Sequence, residues 1–317
     1  MNAPATSPTY SVSELRSRML RVLAVNRTAA LNFPGLFMGL AGEVQPDATL
    51  RLRFDDVTWA RDSGGEINLP ALGVLVDTVL GSVTRHQTGP TARPITAQLS
   101  IQFTGAPMTT RIGAHARFLG FAERVPGRQS FASCAVSSGD TVVAHASGAF
   151  VNASLAPDAT QATLPWQADA LDGVEPLRVG SLKAHERAVV RRFDAAHRAA
   201  TPAAPFAEHF WCGLPTASPG KARLTVPVAP HLGNRVGQVH GGMLFGLAAQ
   251  VARAAVPGMR LHNLTAWFLA PGSGPRLRVR STVVQQGRTL ALVRTEILDA
   301  GGKRVLEAAT QHVASGG

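Results

Sequence analysis

Apolar and polar positions along the chain fall into one order of patterns, and that order occurs twice. Residues 1–10 have no periodicity and read as a disordered start. From about Ser11, Leu15, Met19, Leu20 and Leu23 share one helical face, with Ser11 and Glu14 forming an S-x-x-E capping box. Gly39 to Phe54 alternates and predicts a strand. Leu69 to about Val83 is apolar nearly all round, so a helix there must be buried on most sides. Strand patterns follow at 95–103, 111–120, 129–138 and 141–151. Residues 154–180, rich in Ala, Pro and Asp, read as a linker. The order then returns: a helix over 182–200, a strand over 222–228, a second apolar helix over 241–256, and strands at 263–271, 276–287, 288–298 and 303–313.

Strands that succeed one another through short turns imply antiparallel sheets. One very apolar helix per sheet implies that each sheet curls around its helix, which is the hotdog architecture. The expected fold is α+β, two fused hotdog domains: an N-terminal domain over 11–153, a linker over 154–180 and a C-terminal domain over 181–317. Joined edge to edge, they would share a continuous sheet with their buried helices adjacent.

Composition narrows the function classes. The formal charge is +11, nearly all from arginine, with lysine only at Lys183, Lys221 and Lys303. The arginines form no basic run and aromatic content is 6%, so nucleic-acid binding is not expected. Cys134 and Cys212 lack CxxC spacing and read as free thiols in a reducing compartment. No stretch approaches the ~20 apolar residues of a membrane helix, and the N-terminus lacks a signal-peptide pattern. A soluble, cytoplasmic protein is expected, without a membrane partner. The histidines show no metal-ligand spacing, and no G-x-S-x-G, Walker A or dinucleotide-binding glycine pattern is present, so no metal and no separate cofactor are expected.

The second half contains Asn234-Arg-Val-Gly-Gln-Val-His240-Gly241-Gly242 at the entry to its apolar helix. This resembles the N-x5-HGG segment of PaaI-like hotdog acyl-CoA thioesterases, over about residues 35–153 and 205–315. In that family an Asp follows the His by nine residues. Here that position is Ala249, whereas in the first half Asp77 stands nine residues after Asn68, the position matching His240. The first half has Asn68-Leu69-Pro70 in place of the HGG triplet, and Pro70 has no N–H to offer. Each half has kept what the other lost. Nine helical residues span about 13 Å, so an Asp cannot serve the start of its own helix.

The resemblance implies a pair of hotdogs with helices side by side, each site taking HGG from one and Asp from the other. One working site would then combine Asp77 with Gly241, and the reciprocal site would be dead. The implied reaction is hydrolysis of an acyl-CoA, coenzyme A being part of the substrate. Asp77 would act as general base on water or as nucleophile, with Thr96 positioning it. The Gly241 N–H would hold the oxyanion at a helix N-terminus, and Asn234 and His240 would orient the thioester. Arg128 and Arg288, at matching strand starts, are implied contacts for coenzyme A phosphates, with Gly242 beside them. The alternatives are a hotdog hydratase or dehydratase and a non-catalytic acyl-CoA-binding protein. Further homo-oligomerisation of the double-hotdog chain is an open expectation.

Overall fold

A computed structural model of the protein describes residues 10–28, 32–54, 58–109, 111–122, 129–155 and 171–314. Each half repeats one element order. In the first half these are α1 (Val12–Thr28), α2 (Phe33–Phe37), β1 (Leu40–Val44), β2 (Leu50–Phe54), α3 (Leu69–Thr88), β3 (Ala92–Phe103), β4 (Ile112–Phe121), β5 (Gln129–Ser138) and β6 (Thr141–Ser154). In the second half they are α4 (Ala184–Ala199), α5 (Phe206–Trp211), β7 (Thr216–Ser218), β8 (Lys221–Pro227), α6 (Gly241–Ala255), β9 (Met259–Phe268), β10 (Arg276–Gln286), β11 (Leu290–Leu298) and β12 (Arg304–Ala314).

The twelve strands form one antiparallel sheet in the order β1-β2-β4-β5-β6-β3-β9-β12-β11-β10-β8-β7. The second half reads as the first in reverse, and the halves join through β3 and β9, with Leu99 opposite Ala266 and Ile101 opposite Leu264. Each half-sheet wraps its own long helix, so the chain is two fused hotdog units with their sheets continuous. The alternation of β8, β10 and β11 points Leu224, Val226, Leu277, Val279, Val293 and Ile297 inward onto α6. The apolar run of α3 is buried along nearly its whole length, as its composition requires.

α3 and α6 pack against each other at backbone distance. A Cβ on Gly73 would lie 2.2 Å from the Gly242 carbonyl oxygen, and one on Gly242 would lie 2.2 Å from the Gly73 oxygen. A Cβ on Gly246 would lie 2.3 Å from Pro70 Cα. These three glycines set the helix separation.

Three local features depart from the sequence reading. The stretch from Gly39 to Phe54 is a hairpin, β1 paired with β2 through a turn in which Ala48 has φ 61° and Asp47 Oδ1 accepts from the Thr49 N–H. The buried helix runs on to Thr88. The short helices α2 and α5 were not expected; their Phe37, Phe206, Phe210 and Trp211 form a fully buried aromatic cluster with Trp59 and Phe193. Phe37 of the first half lies 5.2 Å, centroid to centroid, from Phe210 of the second, so the halves interlock on this side too.

Candidate active site

The loop entering each buried helix has the same construction. Before α6, Asn234 Oδ1 accepts from the backbone N–H groups of Val236 and Gln238, both at 3.0 Å. Before α3, Asp62 Oδ1 accepts from Gly64 and Glu66 at 2.9 and 3.2 Å. The main chain of His240 bonds Leu232 and that of Asn68 bonds Ala60 in the same way. The halves are therefore matched residue for residue here, Asn234 with Asp62 and His240 with Asn68.

They diverge at the helix starts. His240 is the N-cap of α6, and its Nδ1 accepts from the Gly242 N–H at 3.0 Å. Asn68 is the N-cap of α3, but the second helical residue there is Pro70, which lacks the N–H a cap would accept. Asn68 Oδ1 is accordingly buried without a hydrogen-bond partner among the described residues.

Asp77, on α3, is buried at 8% exposure and reaches across to the start of α6. Its Oδ2 accepts from the Gly242 N–H at 2.7 Å and lies 3.3 Å from His240 Nδ1, while its Oδ1 accepts from Thr96 Oγ1 at 2.8 Å. The carboxylate sits at the N-terminal, positive end of the α6 dipole. A Cβ on Gly241 would stand 2.7 Å from Asp77 Oδ2, so only glycine permits this approach. Burial lowers the pKa of His240 despite the nearby Asp77 charge, so the ring is neutral. With Nδ1 accepting from Gly242, its proton resides on Nε2. Among the described residues, no hydrogen bond engages the Gly241 N–H, which as the first of the helix has no intrahelical partner.

These groups line a cleft of about 480 Å³ between the halves. Asp77, Thr78, Gly81, Ser82, Arg85 and Thr96 come from the first half; Asn234, Arg235, His240, Gly241 and Leu244 come from the second. Phe150, Val239, Leu244 and Phe268 give it apolar walls.

The structure thus brings Asp77, Thr96, Asn234, His240 and Gly241 into one cleft. The Asn234 side-chain oxygen holds its own loop, which shapes the site. Gly242 is not among the residues lining the cleft; its N–H meets Asp77 and His240, and its Cα faces the Gly73 backbone. Arg288 is exposed in the β10–β11 turn, beside the end of the sheet where Leu290 pairs with Val313 and Val313 with Arg260. The cleft lies at the opposite end, where β9 finishes at Phe268. Arg288 therefore does not join this site. Arg128 lies outside the described residues.

Three arginines that the sequence reading did not single out line the cleft: Arg85, Arg93 and Arg235. Two of them carried a signal. Arg85 follows Asp77 by two helical turns on one face, and Arg235 sits inside the N-x5-HGG segment.

In the reciprocal position, Ala249 stands where Asp77 does, and Gln250 turns away to accept from Cys212 Sγ at 3.0 Å. Thr96 pairs with Phe150 and Leu261 with His312, each followed by a bulge, so Leu261 occupies the Thr96 position. Arg253 stands where Gly81 does and bonds Asp62 Oδ2 at 2.8 Å.

Residues 230–313 match the family model described as the acyl-CoA thioesterase N-terminal domain. No curated protein sequence matches the chain. Solved structures match over nearly all of it. A protein described provisionally as a thioesterase II, from Thermobifida fusca YX, is 14% identical over 90% of this chain and 100% of its own, with a TM-score of 0.53. A provisionally described oleoyl thioesterase from Lactobacillus plantarum is 10% identical over 85% and 97%, with a TM-score of 0.52. A hotdog-fold protein of unknown function from Alicyclobacillus acidocaldarius is 10% identical over 87% and 97%, with a TM-score of 0.52. At these identities the likeness establishes the fold. The chain is a tandem hotdog protein whose second half, through residues 230–313, is similar to the acyl-CoA thioesterase domain.

Proposed function

We propose that the chain hydrolyses an acyl-CoA thioester to the free acid and coenzyme A at this one composite site. The observation that carries the reading is the contact of Asp77 from one half with the start of α6 from the other, in a cleft both halves line. The thioesterase-domain match over residues 230–313 supports the same reaction class.

Asp77 Oδ1 is oriented by Thr96 and Oδ2 by the Gly242 N–H. A water beside this carboxylate gives up its proton as its oxygen attacks the thioester carbonyl. The carbonyl oxygen becomes an oxyanion, and the Gly241 N–H at the head of α6 is the donor for it, reinforced by the helix dipole. Collapse of the tetrahedral species breaks the C–S bond, and the proton held on Asp77 passes to the leaving thiolate. The neutral His240, with its proton on Nε2, is a hydrogen-bond donor for the thioester rather than a base. No step needs a metal, and activity is expected to survive chelators.

The test is thiol release from a panel of acyl-CoA esters with the wild-type protein and Asp77→Asn. Wild-type turnover on at least one ester, lost in the variant, is the expected result. A single turnover in ¹⁸O-labelled water separates two roles for Asp77. If it is the base, the label enters the product acid at once; if it is the nucleophile, the label first enters Asp77. Binding of acyl-CoA with no turnover on any ester would sink the hydrolytic reading.

A further inference from the structure

The cleft lies at the end of the sheet where β3 and β5 begin and β4, β6 and β9 finish. Exposed apolar side chains gather at that end. Ile95 on β3 pairs with Val151 on β6, which pairs with Gln129 at the head of β5. Phe131 follows on β5, and the end of β4 brings Leu119 and Phe121 beside it, with Gly120 opposite Phe131 and Phe121 opposite Ser130. Across the seam between the halves, Trp267 stands opposite Gln98, and Leu269 continues beyond it. Val236, in the loop before α6, lines the cleft together with Ile95 and Leu269. These residues are 38–55% exposed and make up eight of the fourteen large apolar side chains exposed among the described residues. The opposite end of the sheet, at the β5–β6 and β10–β11 turns, exposes Val142, Val284 and Leu290.

Phe131, Val151 and Trp267 point away from the core, while their neighbours Ala132, Phe150 and Ala266 point into it. Further along the same strands the outward residues are Ser133, Ser147 and Thr265. The outer face is therefore polar in the middle of the sheet and apolar around the cleft. Contiguous exposed apolar surface of this kind marks contact with another body.

Two observations identify that body. The chain carries a formal charge of +11, which repels a second copy and attracts an anionic surface. Arg117, Arg276 and Lys303 are exposed at or near this end and form no ion pair among the described residues. The carboxylates of Glu296 and Glu307 there are already paired with Arg280, Arg294 and Arg304. In addition, Ile95, Val236 and Leu269 belong both to the rim and to the cleft lining. A protein seated on the rim would cover the cleft mouth, whereas a bilayer would present acyl chains to it.

We propose that this apolar rim seats the protein on a membrane surface that carries anionic lipid, with Trp267, Phe131 and Leu119 entering the headgroup boundary and the cleft mouth facing the lipid. The contact is with the surface alone, since no helix among the described residues is long and apolar enough to cross a membrane. Sequence periodicity gave no reason to expect a membrane partner, because a rim assembled from the ends of five strands and a loop leaves no continuous apolar run. Docking of this kind does not depend on the proposed hydrolysis.

Co-flotation with vesicles tests it, using phosphatidylcholine alone and an equal mixture with phosphatidylglycerol. The full chain should float with the mixed vesicles and far less with the neutral ones, and added salt should release it. Trp267→Ser and Phe131→Ser should each weaken binding by about 10-fold, the effect of withdrawing one large apolar side chain from the contact. Both should leave the melting temperature and the turnover of a soluble short-chain acyl-CoA unchanged, because neither residue lines the cleft. Trp59 and Trp211 are already buried, so a shift of emission to shorter wavelength on binding should arise largely from Trp267 and be lost in Trp267→Phe, which should still float. No flotation with either vesicle, or flotation unaltered in both serine variants, overturns the proposal. So does self-association in solution that either serine variant abolishes, since the rim would then be an interface between copies. Vesicle binding without hydrolysis of any ester would keep the rim and refute the reaction; hydrolysis without vesicle binding would do the reverse.

Discussion

At the scale of single residues, the site turns on what one carboxylate touches. Asp77 is buried, yet each oxygen has a donor, Thr96 Oγ1 on one and the Gly242 N–H on the other. Asp77→Asn preserves the shape and removes the proposed base; kcat should fall by about 100- to 10,000-fold, read as released thiol. Thr96→Val removes one bond to the carboxylate and should lower kcat by roughly 10-fold with KM little changed, because Thr96 positions Asp77. Other buried groups govern acid stability. Burial draws His231 down to about 3 and His312 to about 4. Both would titrate near 6.5 in the unfolded chain, so below about pH 6.5 the unfolded state binds protons that the folded state refuses. Stability contributed by these rings is flat above that pH and falls towards pH 4, by up to about 1.4 kcal/mol per pH unit for each ring. Melting temperatures between pH 7.5 and 4.5 should decline, and the decline should be shallower in His312→Gln. An equal slope in that variant would remove His312 from the account.

At the scale of elements, the glycines of the two buried helices divide into two kinds. Gly73, Gly242 and Gly246 lie where a Cβ would sit within 2.2–2.3 Å of the facing backbone, and a backbone cannot move aside as a side-chain tip can. Gly242→Ala should therefore force α3 and α6 apart, costing about 1–3 kcal/mol or more, and should displace the N–H that holds Asp77. Denaturation midpoint and kcat should fall together. Gly81 has room for a methyl group, and Gly81→Ala should stabilise the protein by up to about 1 kcal/mol through helix propensity and a less flexible unfolded chain. A destabilised Gly81→Ala, with Gly242→Ala unchanged, would reverse this division.

At the scale of the whole molecule, two halves with matched strand order and matched loops have been made unequal. The half-site of Asn68, Leu69 and Pro70 faces Ala249 and is crossed by the Arg253–Asp62 ion pair. A non-hydrolysable acyl-CoA analogue should titrate to one site per chain. Ala249→Asp should add no second site, because Pro70 cannot donate an N–H opposite the new carboxylate and Arg253 still fills the approach. Two equivalent sites by calorimetry in the wild type would refute the division of labour.

How much of this was legible in the sequence follows from the range of the forces involved. Periodicity is local, so the buried helices, most of the strands and their duplicated order could be read directly from the residues. Complementary losses at corresponding positions, Asp77 against Ala249 and Gly241-Gly242 against Leu69-Pro70, pointed to a shared site because a helix is too long for one half to complete it alone. Contacts between elements distant in the chain left no such mark. The short aromatic helices form because the two halves bury Phe37, Phe210 and Trp211 against one another, and neither half alone supplies that surface. The Gly242 N–H could serve a ligand or a neighbouring carboxylate, and only the close packing of α3 on α6 brings Asp77 within its reach. The sequence by itself determined the repeat, the element types and the residues each half retained. The tertiary structure alone decided which arginines face the cleft, since Arg85, Arg93 and Arg235 come from a helix, a strand and a loop that only folding brings together.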